Sequence, residues 1–274
     1  MEGVTTIAEL RAALDAARAG GAVVGLVPTM GYLHDGHESL MDRARRECDV
    51  VVATIFVNPL QFGAGEDLDA YPRDLDGDSA RATAAGVDVL FTPPVAEMYP
   101  GPVLTTVSVA EVSSAMEGAS RPTHFAGVAT VVAKLFNIAG PCRAYFGEKD
   151  WQQLAVISRM VRDLSFPIEI VPCPTVREAD GLAMSSRNVY LTADERAAAP
   201  SLQRALLAGV AAIEGGERDP KKVTNVVRSL IDPIADVDYV EVVDAATLDD
   251  VEPLHGVLRL LVAARFGKAR LIDN

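Results

Sequence analysis

His34 and His37 stand three residues apart in VVGLVPTMGYLHDGHESLMDRARR, residues 23–46, where an apolar run gives way to a helical pattern. Imidazoles at i and i+3 share one face of a helix. Such a pair can donate hydrogen bonds to a phosphoryl group, bind a metal ion, or be an ordinary surface pair. Val23, Val24, Leu26 and Val27 form a short apolar run ended by Pro28, and Leu33, Leu40, Met41, Ala44 and Cys48 then recur at helical spacing. The pattern predicts a strand feeding a helix whose first turn holds His34, Asp35, Gly36 and His37. The backbone N–H groups of a helix start, with the positive end of its dipole, suit a phosphate, and Gly31 and Gly36 let the main chain approach closely.

The elements that must hold this turn are legible as an alternation. VVVATIFV at 50–57 is the β-branched run of a strand buried on both faces, and it ends in Asn58, Pro59, Leu60, Gln61 and Phe62. A helix is expected over 72–85, a strand over Val87–Phe91, a helix over Ala126–Ala139 and a strand over Arg143–Phe146. A further helix spans Asp150–Leu164, with Leu154, Ile157, Val161 and Leu164 on one face, before a strand at Ile168–Val171. Alternating strands and helices predict an α/β fold with a Rossmann-like, doubly wound parallel sheet, whose ligands sit beyond the carboxyl ends of the strands. Three polar clusters fall at those ends: Thr29–His37, Asn58–Gln61 and Gly147–Gln153. Beyond residue 175 a long helix over Ala193–Gly209, another over 220–231, and two strands, Tyr239–Val243 and Leu258–Ala264, predict a smaller C-terminal α+β domain. The expected domains are 1–175 and 176–274. The junction TVREADGLAMSSRN, residues 175–188, is polar and too long for a tight turn, which suits a mobile element over a cleft.

Composition narrows the function. The 274 residues, 49% hydrophobic, suffice for a large and a small domain. A net charge of −13 argues against a nucleic-acid-binding face, because that affinity comes largely from cations neutralising phosphates. A single nucleotide in a cleft is compatible with it, since screening acts over about 8 Å and a few local cations outweigh distant acids. No run approaches the ~20 apolar residues of a membrane span, and the N-terminus reads as an amphipathic helix with acids, so a cytoplasmic protein with no membrane partner is expected. Cys48, Cys142 and Cys173 are widely spaced and read as apolar fillers, with Cys173, between two prolines, expected to be exposed. GAGEDLDAYPRDLDGD, residues 63–78, carries six acids and reads as a solvated loop.

The H-x-G-H element directly after an apolar strand resembles the HIGH signature of the nucleotidyltransferase superfamily. PTMGYLHDGH (28–37), FVNPLQF (56–62), RPTHFAGV (121–128), FGEKDWQQ (146–153) and VREADGLAMSSRN (176–188), in that order, together with the ending LLVAARFGKARLIDN, resemble the pantothenate synthetase family. The resemblance implies an ATP-dependent ligase that condenses (R)-pantoate with β-alanine through pantoyl adenylate, releasing AMP and pyrophosphate. It implies Mg²⁺ carried on the ATP phosphates with no protein metal ligand, and a homodimer. It places His34 and His37, with Lys149 and Arg187, in catalysis. It places ATP against Met30, Gly31, Tyr32, Leu33, His34, Asp35, Gly36 and His37, against Gly147, Glu148, Lys149 and Asp150, and against Val176, Met184, Ser185, Ser186 and Arg187. Gln61 and Gln153 would bind pantoate, and Gln61 also β-alanine. Neutral amides suit that task, because they bind a carboxylate without a salt bridge that would hold back the attacking oxygen. Class I aminoacyl-tRNA synthetases carry KMSKS where this chain has Met184-Ser185-Ser186-Arg187, so cationic duty falls on Arg187 and, from another loop, Lys149. Arg121 and His124 precede a helix and either reach ligand or cap it. In the acidic 63–78 segment, the resemblance implies a cover for the cleft and acids that orient water around Mg²⁺.

Other classes make different demands. A metal hydrolase built on His34, His37 and His124 lacks an activated carboxylate or a second ligand pair. A nucleotide-binding regulator would bind ATP and yield no AMP, and another adenylate-forming enzyme would differ only in its acid.

Overall fold

The β-branched run becomes β3 (Val50–Ile55), an inner strand of the sheet on which the first unit of the protein is built. With β1 (Glu2–Val4), β2 (Val24–Thr29), β4 (Val89–Phe91), β5 (Cys142–Gly147) and β6 (Ile168–Cys173) it forms a wholly parallel sheet in the order β1-β4-β3-β2-β5-β6. The computed structural model describes residues 1–274. Its first unit comprises Met1–Glu148 and Val156–Pro174, and its second comprises Lys149–Ala155 and Thr175–Asn274.

Helices α1 (Ile7–Ala19), α2 (Asp35–Glu47), α3 (Leu75–Ala84), α4 (Val95–Met98), α5 (Glu117–Ser120) and α6 (His124–Ala139) alternate with these strands, and α7 (Trp151–Asp163) leads from β5 to β6. The apolar stripe read from the sequence is the buried face of α2: Leu33, Leu40, Met41, Ala44 and Cys48 pack in one cluster with Val27, Val51 and Ala53 of the sheet. Strand order reverses between β2 and β5, since β3 and β4 lie on one side of β2 and β5 and β6 on the other. A crevice forms beyond the carboxyl end of the strands at such a reversal. The histidine turn follows β2 there.

The second unit holds α8 (Ala193–Ala198), α9 (Ser201–Glu214), α10 (Pro220–Ile231) and an antiparallel sheet of β7 (Asp236–Asp244), β8 (Leu258–Phe266) and β9 (Ala269–Asp273). Leu202, Leu206, Val223, Val227 and Ile231 of its helices share a core with Val240, Val242, Leu260 and Val262.

Several expectations need correction. The single helix expected over Ala193–Gly209 is two, ending at Ala198 and restarting at Ser201, because Pro200 has no amide hydrogen to continue the helical hydrogen-bond ladder. The small sheet has three strands; Phe266 pairs with Ala269 across a two-residue Gly267-Lys268 turn, which returns the chain as β9. A short β1 precedes the N-terminal helix. Cys173 is buried, as are Cys48 and Cys142, and all three are free thiols. No helix is long and apolar enough to cross a membrane.

Candidate active site

The turn after β2 is built from backbone geometry that few residues tolerate. Gly31 has φ +83° and Tyr32 φ +52°, so two successive residues lie in the left-handed region. A Cβ on Gly31 would lie 2.8 Å from Asp78 Oδ2 and 2.9 Å from Ile55 Cγ2, so both conformation and space require glycine. Thr29 donates its hydroxyl to the Thr54 carbonyl at 2.6 Å and accepts from the Gly31 amide at 3.2 Å. The strain is offset from α3. Asp78, 3% exposed, accepts from the amides of Tyr32 at 2.8 Å and Leu33 at 2.6 Å. Burial raises the Asp78 carboxyl above its ordinary value, and the two amides oppose that rise.

The two histidines then cap α2 with each other's help. His34 is the N-cap residue; its Nδ1 accepts from the Gly36 amide at 3.2 Å, while His37 Nδ1 accepts from the His34 amide at 3.3 Å. This is the reciprocal geometry of a capping box, with imidazoles in place of the usual hydroxyl and carboxylate. Their ring centroids lie 4.0 Å apart. A neutral imidazole that accepts at Nδ1 carries its proton on Nε2. The cap therefore fixes both tautomers and makes each Nε2–H a donor at a helix start. Arg81 of α3 reaches Asp35 at 3.2 Å and also pairs with Glu38, so α3 braces the first turn of α2 as well.

Gln61 is 7% exposed and joins the same half of the site. Its Nε2 donates to Met30 Sδ at 2.9 Å and its Oε1 accepts from Asn58 Nδ2 at 3.2 Å; Asn58 in turn donates to the Gly127 carbonyl and accepts from the Tyr99 hydroxyl at 2.9 Å. Gly127 allows this approach, because a Cβ there would sit 2.2 Å from the Leu60 carbonyl oxygen. The Gln61 carbonyl accepts from His124 Nδ1 at 3.0 Å and Arg121 at 3.3 Å. A carbonyl only accepts, so His124 is protonated on Nδ1. Burial, with help from the Arg121 cation, pushes the His124 pKa down to about 4, which keeps the ring neutral at physiological pH. Arg121 is paired with Glu66 at 2.5 Å. Neither residue caps α6: each holds the Gln61 main chain instead.

The acidic segment 63–78, whose end forms the first turn of α3, differs from the solvated loop expected of it. Glu66 pairs with Arg121, Asp74 accepts from Gly77 to start α3, and Asp78 holds the histidine turn. Glu66, Asp74 and Asp78 thus have structural roles that nothing in the composition of the segment distinguished.

Gly147 and Glu148, at the end of β5, belong to the first unit, and the remaining candidates belong to the second. Lys149 and Asp150 lie in a short 3-10 turn, with Lys149 Nζ 3.6 Å from Asp150 Oδ1, and Gln153 follows in the first turn of α7. Val176 and Met184 are hydrogen-bonded across a small hairpin, through the Met184 amide and Val176 carbonyl. The Ser185 hydroxyl accepts from the Arg187 amide at 3.3 Å and starts a 3-10 turn over Ser186–Tyr190. No group of three or more His, Cys, Asp or Glu side chains is arranged to hold a metal ion.

Residues 2–274 match the family described as Pantoate-beta-alanine ligase. The chain is 53% identical to the pantothenate synthetase of Geobacillus thermodenitrificans, over 99% of this chain and 94% of that protein. It is 54% identical to that of Sinorhizobium medicae, over 100% and 95% respectively. The crystal structure of pantothenate synthetase from Thermus thermophilus superposes with a TM-score of 0.94 at 52% identity, covering 100% of this chain and 98% of that one. Pantoate-β-alanine ligase from Francisella tularensis, complexed with β-γ ATP and β-alanine, gives a TM-score of 0.82 at 34% identity, over 100% and 96%. The chain belongs to the pantoate–β-alanine ligase family and is an enzyme of pantothenate biosynthesis.

Proposed function

We propose that the chain makes the amide of pantoate and β-alanine in two steps, with ATP as the activating co-substrate. A carboxylate is a poor acyl donor, so one pantoate carboxylate oxygen first attacks the α-phosphorus of ATP, and pyrophosphate leaves. The β-alanine amine then attacks the acyl carbon of pantoyl adenylate, AMP leaves, and the ammonium proton is lost to give pantothenate. No protein nucleophile takes part. Catalysis is placement of the reactants and stabilisation of charge on the phosphates.

The observation that carries this reading is the mutual capping of His34 and His37, which presents Nε2–H donors at the N-terminus of α2 beside the strand-order reversal. Met30–His37 and Gly147–Asp150 bind the nucleotide in this reading, with Val176 and Met184–Arg187. Lys149 and Arg187 supply the positive charge, one as a point and one as a planar fork. Gln61, fixed through both its side chain and its carbonyl, binds pantoate and β-alanine, and Gln153 binds pantoate. Magnesium rides on the nucleotide phosphates, a role supported by the preference of Mg²⁺ for phosphate and water oxygens over an all-protein cage. Residues 176–274 act as a lid domain, the enzyme works as a homodimer in the cytoplasm, and neither nucleic acid nor membrane is a partner.

The test is exchange of labelled pyrophosphate into ATP with Mg²⁺ and pantoate present and β-alanine absent. Pantoate-dependent exchange is expected. Absence of both exchange and AMP release in the complete mixture would overturn the adenylate route.

A further inference from the structure

We infer that Asn274 and Asp273, at the end of β9, are positioning residues for nucleotide binding, and that they clasp the two phosphate-facing segments of the second unit together. This rests on the placement of Lys149 and Ser185–Arg187 against ATP proposed above. Asn274 Nδ2 donates to the main-chain oxygen of Lys149 at 2.9 Å. Its own main-chain oxygen accepts from Arg177 Nη2 at 3.2 Å, so one residue touches both segments. Asp273, whose side chain is 1% exposed, binds the same guanidinium at both oxygens, 2.6 Å to Nη1 and 2.8 Å to Nη2. Arg177 Nη1 also donates to the Gly181 carbonyl at 3.1 Å, across the hairpin that leads to Met184.

The clasp is itself fastened. The Asn274 amide donates to Asp273 Oδ1 at 2.8 Å, and Asn274 Oδ1 accepts from Arg259 Nη1 at 3.0 Å. The Arg259 guanidinium lies 3.5 Å from the centre of the Trp151 ring, whose Nε1–H donates to the Ala245 carbonyl at 3.1 Å. Trp151 follows Lys149 by two residues, so the 3-10 turn carrying Lys149 is held on both sides by the C-terminal sheet. A bidentate charge-assisted pair in a buried setting has one geometry, and an amide donating to a main-chain oxygen fixes the backbone rather than the flexible lysine stem. The lysine then starts from a fixed point.

The experiment is a double-mutant cycle on the full chain with Asn274→Ala and Lys149→Ala, measuring kcat, the KM for ATP and the KM for pantoate, with thermal unfolding alongside. Asn274→Ala is expected to lower kcat/KM for ATP about three- to tenfold, the worth of one hydrogen bond. The KM for pantoate should stay within about twofold, because Gln153 is held by α7. In the Lys149→Ala background the same substitution should cost nothing more. An equal loss in both backgrounds would show a general structural role and overturn the clasp. A silent Asn274→Ala would do the same, while a silent Lys149→Ala would overturn the Lys149 assignment and the clasp with it. If Asn274→Ala does not fold, Asn274→Ser carries the same cycle.

Discussion

In the proposed function the histidine turn and the lysine and arginine segments are asked for the same thing, rigid donors toward phosphate, yet they are supported in opposite ways. His34 and His37 are held chiefly by amides within three residues of themselves. Lys149 and the hairpin before Arg187 are tied to residues 125 and 96 positions away. A short-range support forms with its helix and needs little else. A long-range support exists only once the distant strand has folded, so its precision is tied to the stability of that whole unit. The first design suits a group that must keep one tautomer, and the second makes the placement of Lys149 and the hairpin depend on the fold of the second unit.

The largest effect that would test this contrast comes from His37→Ala. Removing a preorganised donor of this kind should lower the rate of adenylation by about 10²–10³. The fold should persist, because the substitution removes one capping acceptor, worth about 1 kcal/mol. Single-turnover adenylate formation alongside circular dichroism checks it. Near-normal turnover in a folded variant would mean that the self-capped pair serves structure alone.

Among the distant supports from α3, Asp78 holds the backbone of the histidine turn directly, and Asp78→Asn probes it. Asparagine keeps one acceptor and puts an NH2 group against an amide N–H, leaving a buried donor unpaired at a cost of about 1–3 kcal/mol. The left-handed Tyr32 would lose part of what stabilises it. We expect a lower unfolding midpoint in urea together with a fall in kcat, smaller than that of His37→Ala. A destabilised variant with unchanged kcat would show that the histidines keep their placement without Asp78, which sharpens the contrast between the two regions.

The same measure, sequence separation, explains what could be read before the structure was known. The strand, glycine turn and apolar stripe at 23–48 are a local pattern with an inner parallel strand on one side, and they were legible. So was the alternation that makes the doubly wound sheet, because the inner strands β2 and β3 are largely apolar runs set between helical patterns. Pro200 was legible in principle, as a proline amid a helical pattern, but the apolar periodicity on either side of it carried the reading through. β9 escapes the pattern because ARLID is short and carries charged residues at its second and last positions, and only its pairing to β8 makes it a strand. Asp78 looked like its five acidic neighbours. Its role depends on α3 lying against the turn between β2 and α2, and Cys173 is buried for a similar reason, as the last residue of β6 packed in the α2 cluster. The roles of Arg121 and His124 toward the Gln61 carbonyl likewise depend on α6 packing against the Asn58–Gln61 turn.

The smallest expected effect belongs to Arg196→Ala. Arg196 reaches Asp180 at 2.6 Å, on the same hairpin that Arg177 holds, but both side chains are open to solvent, 34% and 45% exposed. Hydrogen bonding to Arg196 lowers the Asp180 carboxyl below its ordinary value, which shows attraction without showing a contribution to placement. An exposed pair gains little over water, since salt screens it and two long side chains lose freedom to form it. Asp273, by contrast, has lost its water and depends on Arg177 for compensation. Arg196→Ala should therefore change kcat/KM for ATP by less than about fivefold, and raised salt should shrink the difference further. A larger, salt-insensitive loss would mean that the tip of the hairpin, rather than its buried base, sets where Ser185–Arg187 lie, and the support of the second unit would then be local after all.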